Sequence, residues 1–167
     1  MALQAHVVSE LGDGDPWRAI IVDLVQKPDP GSTFATATSD VRHLPANELL
    51  QTLFARGYEG LLFSQAEQLG KRGELIGGIF WQEHRANGTY TWKVFRLIVD
   101  ENFRQQGYGC QQVEIFLRHA HDRHVHQIYL GAGGSEIIKR IFQKIKSGEI
   151  ALPFSLQCEE RDYSITL

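Results

Sequence analysis

The residues of this 167-residue chain best suited to chemistry are Arg104-Gln105-Gln106-Gly107-Tyr108-Gly109-Cys110, and the chemistry they suit is capture of an anion. A nearly continuous apolar run, Val94, Phe95, Leu97, Ile98 and Val99, precedes them and reads as a strand covered on both faces. Asp100-Glu101-Asn102 then breaks the run with loop residues. Tyr108, Val113, Phe116, Leu117 and Ala120 recur at three- to four-residue intervals, the period of a helix packed on a sheet. Arginine and glycines therefore sit at a helix N-terminus. Its first-turn amides have no partner within the helix, and the aligned peptide dipoles present partial positive charge to a phosphate. Gly107 and Gly109 have no Cβ, so an anion can come close to the backbone there, and Arg104 adds a full positive charge. Two glycines at such a turn also suit tight packing with no ligand at all.

Three other clusters invite a chemical reading. Cys110, in the first helical turn, is either a nucleophile activated by the helix end or a small packing residue. His119, His121, His124 and His126 read as a metal cluster or as a solvated helix end where cations suit the dipole. The second reading is the expected one, and no metal is expected. Gly131-Ala132-Gly133-Gly134 follows a short strand like a nucleotide-binding turn, but Glu136 stands where the third glycine of Gly-x-Gly-x-x-Gly belongs.

A net charge of -3 and a pI of about 6.1 leave no basic excess to neutralise the phosphates of a nucleic acid. There is no charged-then-apolar leader and no apolar run near the length of a membrane span. The expectation is a soluble, cytoplasmic protein without nucleic-acid or membrane partners. Cys110 and Cys158 are too few for a disulfide framework and read as reduced thiols.

The remaining elements must position the turn. Ala5 to Leu11 reads as a first strand. Asp15 and Pro16 start a helix whose Trp17, Ile20, Ile21, Leu24 and Val25 form one apolar stripe, ended by Pro28-Asp29-Pro30-Gly31. Residues 31–44 show no period and read as a loop. A helix from about Pro45 carries Leu49, Leu50, Leu53 and Phe54 and stops at Gly57. Gly60 to Gln65 and Leu75 to Gln82 read as strands, with Gly77-Gly78 marking a bulge or a close backbone approach. Asn87-Gly88 predicts a two-residue hairpin turn into the Tyr90 to Val99 strand. After the long helix come a short strand, Gln127 to Gly131, and a helix capped by Ser135, with Ile137, Ile138, Ile141, Phe142 and Ile145 on one face. The alternation of Ile150, Leu152, Phe154, Leu156 and Cys158, then Tyr163, Ile165 and Leu167, predicts a terminal hairpin with a bulge or edge at Pro153. No repeat or linker divides the chain, so one domain over residues 1–167 is expected.

Leu97-x-Val99, four residues, then Arg104-x-x-Gly107-x-Gly109 resembles the acyl-CoA signature of the GNAT superfamily of N-acetyltransferases. The element order extends the resemblance over the whole chain, although it is specific only from Leu97 to Gly109. It implies an α/β (α+β) fold: a mixed, mostly antiparallel sheet of about six to seven strands flanked by about four helices. It also implies acetyl-CoA as cosubstrate. The pantetheine arm would bond to strand amides at Leu97, Ile98 and Val99, and the pyrophosphate would rest on Arg104, Gln105, Gln106, Gly107, Tyr108, Gly109 and Cys110. The acceptor would be a primary amine of a small molecule or peptide, and a homodimer is left open.

An amine of pKa near 10.4 must lose a proton before attack, at a cost of roughly 4 to 5 kcal/mol at neutral pH. Under the resemblance, Glu74, Glu83 and His84, flanking the third strand, are candidate bases acting through water, and each is equally readable as a solvated strand-end residue. Arg96 is a charge inside an apolar strand: it either binds an anionic group of the acceptor or pairs with a carboxylate at the sheet edge. The chain departs from the family at Phe142, where a tyrosine that protonates the leaving thiolate is frequent, at Ser135, where an asparagine is, and at Gln112, usually apolar. The alternative function is therefore a GNAT-like domain that binds acyl-CoA as a sensor or interaction module without turnover.

Overall fold

The computed structural model describes residues 2–131 and 136–167. Its elements follow from local signals in the chain. Strand β1 spans Leu3–Val7, and a 3-10 turn at Val8–Glu10 takes the place of its expected second half. Asp15 accepts from the Trp17 amide at 3.0 Å, so the expected cap is present, but it caps a 3-10 turn, Pro16–Arg18, which leads into α1, Ala19–Gln26. Ile21, Val22 and Val25 of α1 are buried.

The expected loop over 31–44 contains a short helix, α2, Thr33–Ala37. Its cause is legible after the fact: Ser32 Oγ accepts from the Ala35 amide at 3.0 Å, and Phe34 anchors the helix by stacking on Phe95. Helix α3, Ala46–Ala55, buries Leu49, Leu50 and Leu53 and ends at Gly57, whose φ is +85°. Strands β2, Tyr58–Gln65, β3, Leu75–Ala86, and β4, Thr89–Val99, form a meander. The β3–β4 turn has positive φ at both Asn87 and Gly88, as its sequence requires. Helix α4, Tyr108–Asp122, β5, Gln127–Tyr129, α5, Glu136–Lys146, β6, Gln157–Glu159, and β7, Ser164–Thr166, complete the chain. The strand content of the tail is far shorter than its alternation suggests. The segment 131–134 lies partly, and Ser135 wholly, outside the described residues.

The seven strands make one sheet in the order β1-β2-β3-β4-β5-β7-β6, antiparallel throughout except for β4 and β5. One face packs Val113, Phe116, Leu117 and Ala120 of α4 and Ile141, Phe142 and Ile145 of α5 on Trp81 and Trp92. The other packs α1 and α3 on Leu62 and Phe80.

Gly77 marks both a bulge and a close approach: Phe63 faces Gly77 and Ser64 faces Leu75, so Ile76 beside it is an extra residue on the β2 side. A Cβ on Gly77 would run into the Ile98 carbonyl and lie 2.6 Å from Gln112 Nε2. The missing side chain thus admits Gln112 of α4, which is fully buried with neither amide atom hydrogen bonded among the described residues. A buried polar atom without a partner costs about 1 to 3 kcal/mol. Gln112→Leu should therefore raise the unfolding midpoint by several degrees in a calorimetric melt; a lowered midpoint would mean that the amide is bonded in solution.

Candidate functional site

The site begins with an irregularity in β4. In the β3–β4 ladder Trp81 faces Val94 and Phe80 faces Arg96, so Phe95 is an extra residue. A bulge turns two consecutive side chains to one face. Tyr90, Trp92 and Val94 point into the core under α4, whereas Phe95 stacks on Phe34 at 4.0 Å and Arg96 pairs with Asp29 on the opposite face. Leu97 then returns to the α4 side.

At the same level β4 parts from β5. Their pairing covers Thr91 to Lys93 only, and Gly131 marks its limit, a Cβ there lying 3.7 Å from the Val94 carbonyl oxygen. Beyond it the β4 edge runs on to Val99 with no strand partner on that side among the described residues, a stretch of roughly 16 Å at the usual rise. The Asp100 amide donates to Ile76 at 2.7 Å, so alternation gives the Ile98 amide and carbonyl to β3 and leaves those of Leu97 and Val99 facing the gap. Arg104 Nε donates to the Val99 carbonyl at 3.1 Å from that side. Ile98, grouped with its neighbours in the sequence reading, thus has its polar backbone committed elsewhere.

The Arg104 to Cys110 turn closes the open end. Asp100 holds a 3-10 turn, Glu101–Phe103, by accepting from the Asn102 amide at 2.9 Å, and Phe103 meets the buried Tyr108 edge-on at 5.9 Å. Gln105 and Gly107 both take left-handed φ, +62° and +81°, a backbone shape that gathers successive amides into a concavity. Gly107 caps α4 with no side-chain hydrogen bond, and the first internal bond there is from Gln111 to the Gly107 carbonyl at 3.3 Å. The Tyr108, Gly109 and Cys110 amides, which precede that bond, thereby have no partner within the helix. Arg104, anchored through Nε, keeps its two terminal nitrogens available beside them. Gln106 bonds to the Asn102 carbonyl and braces the loop. Cys110 is half-buried beside Lys144 of α5.

The candidate bases lie apart from this gap. Glu74 is exposed ahead of β3, with its carbonyl bonded to Gln65 of β2. Glu83 and His84 oppose Trp92 and Thr91, where β4 is still paired with β5, and β4 stands between them and the gap. Burial and the Lys93 charge lower the His84 pKa. The two-residue Asn87-Gly88 turn sets the register of Glu83 and His84, since the ladder is unbroken from the Ala86 and Thr89 pair to the Glu83 and Trp92 pair. The histidines are not a uniformly solvated helix end either. His119 packs against Trp81 and Trp92, and burial together with Arg123 lowers its pKa to about 4, while His126 Nδ1 accepts from the Tyr90 amide. No group of three or more metal-ligating side chains occurs among the described residues, and no helix there is long and apolar enough to cross a membrane.

On the face away from α4, the bulge borders a cavity of about 50 Å³ lined by Leu24, Lys27, Asp29, Phe34, Phe95 and Arg96. Sequence reasoning missed Lys27, Asp29 and Phe34 as site residues. Ser32, a good cap two residues before an isolated phenylalanine, was the available signal for that segment.

No protein-family model and no curated protein sequence matches the chain. Solved structures do match it in fold. An aminoglycoside acetyltransferase from an uncultured soil metagenomic sample superposes with a TM-score of 0.55 at 16% identity, covering 95% of this chain and 97% of that one. A Trypanosoma brucei acetyltransferase gives 0.54 at 12%, covering 95% and 98%. A GNAT family acetyltransferase from Elizabethkingia anophelis, with acetyl-CoA bound, gives 0.52 at 15%, covering 98% and 94%.

Proposed function

The chain has the GNAT fold, and from that premise we propose that it is an N-acetyltransferase moving an acetyl group from acetyl-CoA to a primary amine by direct attack. The observation that carries the reading is the coincidence of an open strand edge with an anion turn at its end, the shape required by a long amide-bearing arm that finishes in a pyrophosphate. The fit rests on this chain's own atoms: the Leu97 and Val99 backbone, the free amides of Tyr108, Gly109 and Cys110, and Arg104. Acetyl-CoA supplies an activated thioester. The Leu97 and Val99 amides would donate to the arm, and such a fixed strand amide would stabilise a carbonyl oxygen on which negative charge develops without reorganisation. The bulge presents the Phe95–Arg96 cavity on the face away from α4, a side from which an amine would approach without crossing the cosubstrate.

Proton removal from the amine is assigned to water, since Glu83 and His84 are at the paired end. Phe142 is fully buried and packs edge-on against Tyr163 at 5.3 Å, so that position offers no acid. Release of a thiolate of pKa near 8.5 costs about 2 kcal/mol at pH 7, which slows turnover without forbidding it. The same absence favours a second reading, an acyl-CoA-binding module that does not turn over. A thiol-detecting assay of CoA release with a panel of amines separates the two. Amine-dependent release is expected; tight acetyl-CoA binding with no release for any amine would leave the module reading.

A further inference from the structure

We propose that the acceptor is an amine that also carries an anionic group on an apolar body, its carboxylate or phosphate bound by Arg96 and Lys27 and its body resting on Phe34 and Phe95. The inference rests on the acetyl-transfer reading for the identity of the cavity, and it narrows the acceptor class. Three observations carry it. The bulge turns Phe95 and Arg96 together onto the face away from α4, at the point where β4 leaves β5, so the cavity opens where an amine must approach. Its charged lining is two cations and one carboxylate, a positive balance that suits an anion and disfavours a polycation. Only Arg96 is paired. Lys27 has no carboxylate within ion-pair distance among the described residues, and the Arg96–Asp29 pair is exposed, with 42% and 64% of the two side chains accessible. An exposed pair of this kind is weakly held. A ligand anion can therefore take over the Arg96 guanidinium while Asp29 swings to solvent or meets the acceptor ammonium. Phe34 and Phe95, nearly parallel and half-buried, supply the apolar wall.

Matched amines test this: phenylalanine against phenethylamine, and glucosamine 6-phosphate against glucosamine, which separate a carboxylate source from a phosphate one. With acetyl-CoA saturating, at least one anionic member should show a KM lower than its neutral counterpart by about tenfold or more. Arg96→Met should erase that preference, and Asp29→Asn, which frees Arg96, should strengthen it. Opposite responses of two neighbouring surface variants cannot come from misfolding. Equal KM values within both pairs, or a preference unchanged in Arg96→Met, would overturn the proposal. If no amine is acetylated, the acetyl-transfer reading fails on its own, and the cavity is read directly by titrating phenylalanine, phenethylamine and glucosamine 6-phosphate into the free protein while following the Phe95 and Arg96 amide resonances. Shifts for an anionic ligand alone support the anion site, and shifts for none, or for phenethylamine alike, overturn it.

Discussion

CoA should bind this protein roughly 100- to 1000-fold more tightly than pantetheine. Hydrogen bonds to a charged group contribute about 1.5 to 3 kcal/mol each, and the Tyr108, Gly109 and Cys110 amides with Arg104 offer several. Even two that survive the cost of ordering the ligand account for the ratio, since every 1.4 kcal/mol is tenfold. The dipole and the left-handed pair at Gln105 and Gly107 act in the same direction. Part of the advantage should fade with added salt because Arg104 is exposed. Paired calorimetric titrations measure the ratio. Equal affinities would mean that the turn is only a strand-to-helix connection.

Gly109→Val should lower CoA affinity at least about tenfold in a protein that still folds. A Cβ at Gly109 meets only Val99 Cγ2, at an ordinary 3.8 Å, and its φ is not left-handed, so the protein itself accommodates a side chain. The cost of valine in a helix is a fraction of a kcal/mol. Any larger loss must arise on the ligand side, where the added methyls occupy the approach to the first-turn amides. Gly107 is a poorer probe: with φ at +81°, every L side chain strains the turn whether or not a phosphate binds. Unchanged affinity in folded Gly109→Val would remove the phosphate from this turn.

What the sequence disclosed and what it hid divide along physical lines. The strand-to-helix turn was readable because Arg104, Gly107 and Gly109 are close in the chain, and local spacing carries a local structure. So were the Asn87-Gly88 hairpin and the α3 and α4 stripes, each produced by near neighbours. The β4 bulge was not readable, since Phe95 is extra only relative to Phe80 and Trp81 on another strand. That single insertion moves Arg96 from the α4 side to the far face, where it lines the cavity with Phe34 and Phe95. Glu83 and His84 lie on the turn side of the bulge, where the Asn87-Gly88 hairpin sets them against Trp92 and Thr91; what the sequence hid is where β4 parts from β5, since that depends on a strand distant in the chain. Phe34 escaped notice because residues 31–44 have no period, α2 being held by the Ser32 cap, by Phe34 against Phe95 and Tyr58 and by Arg42 on the Ala35 carbonyl, and Asp29 because it read only as part of the stop after α1. The tail shows the converse failure. Its alternation from Ile150 to Cys158 reflects one buried side, but only Gln157–Glu159 finds a strand to pair with.

The central claim is that an acyl-CoA lies along the open edge of β4 with its phosphates on the turn before α4. A titration of CoA into the isotope-labelled protein, followed by amide proton–nitrogen correlation spectra, tests it most directly. The largest shifts should fall on Leu97 and Val99 and on Arg104 to Cys110, with Ile98 moving less because its amide is bonded to β3. Saturable binding whose shifts cluster elsewhere, leaving the amides of Gly107 to Cys110 in place, would contradict it.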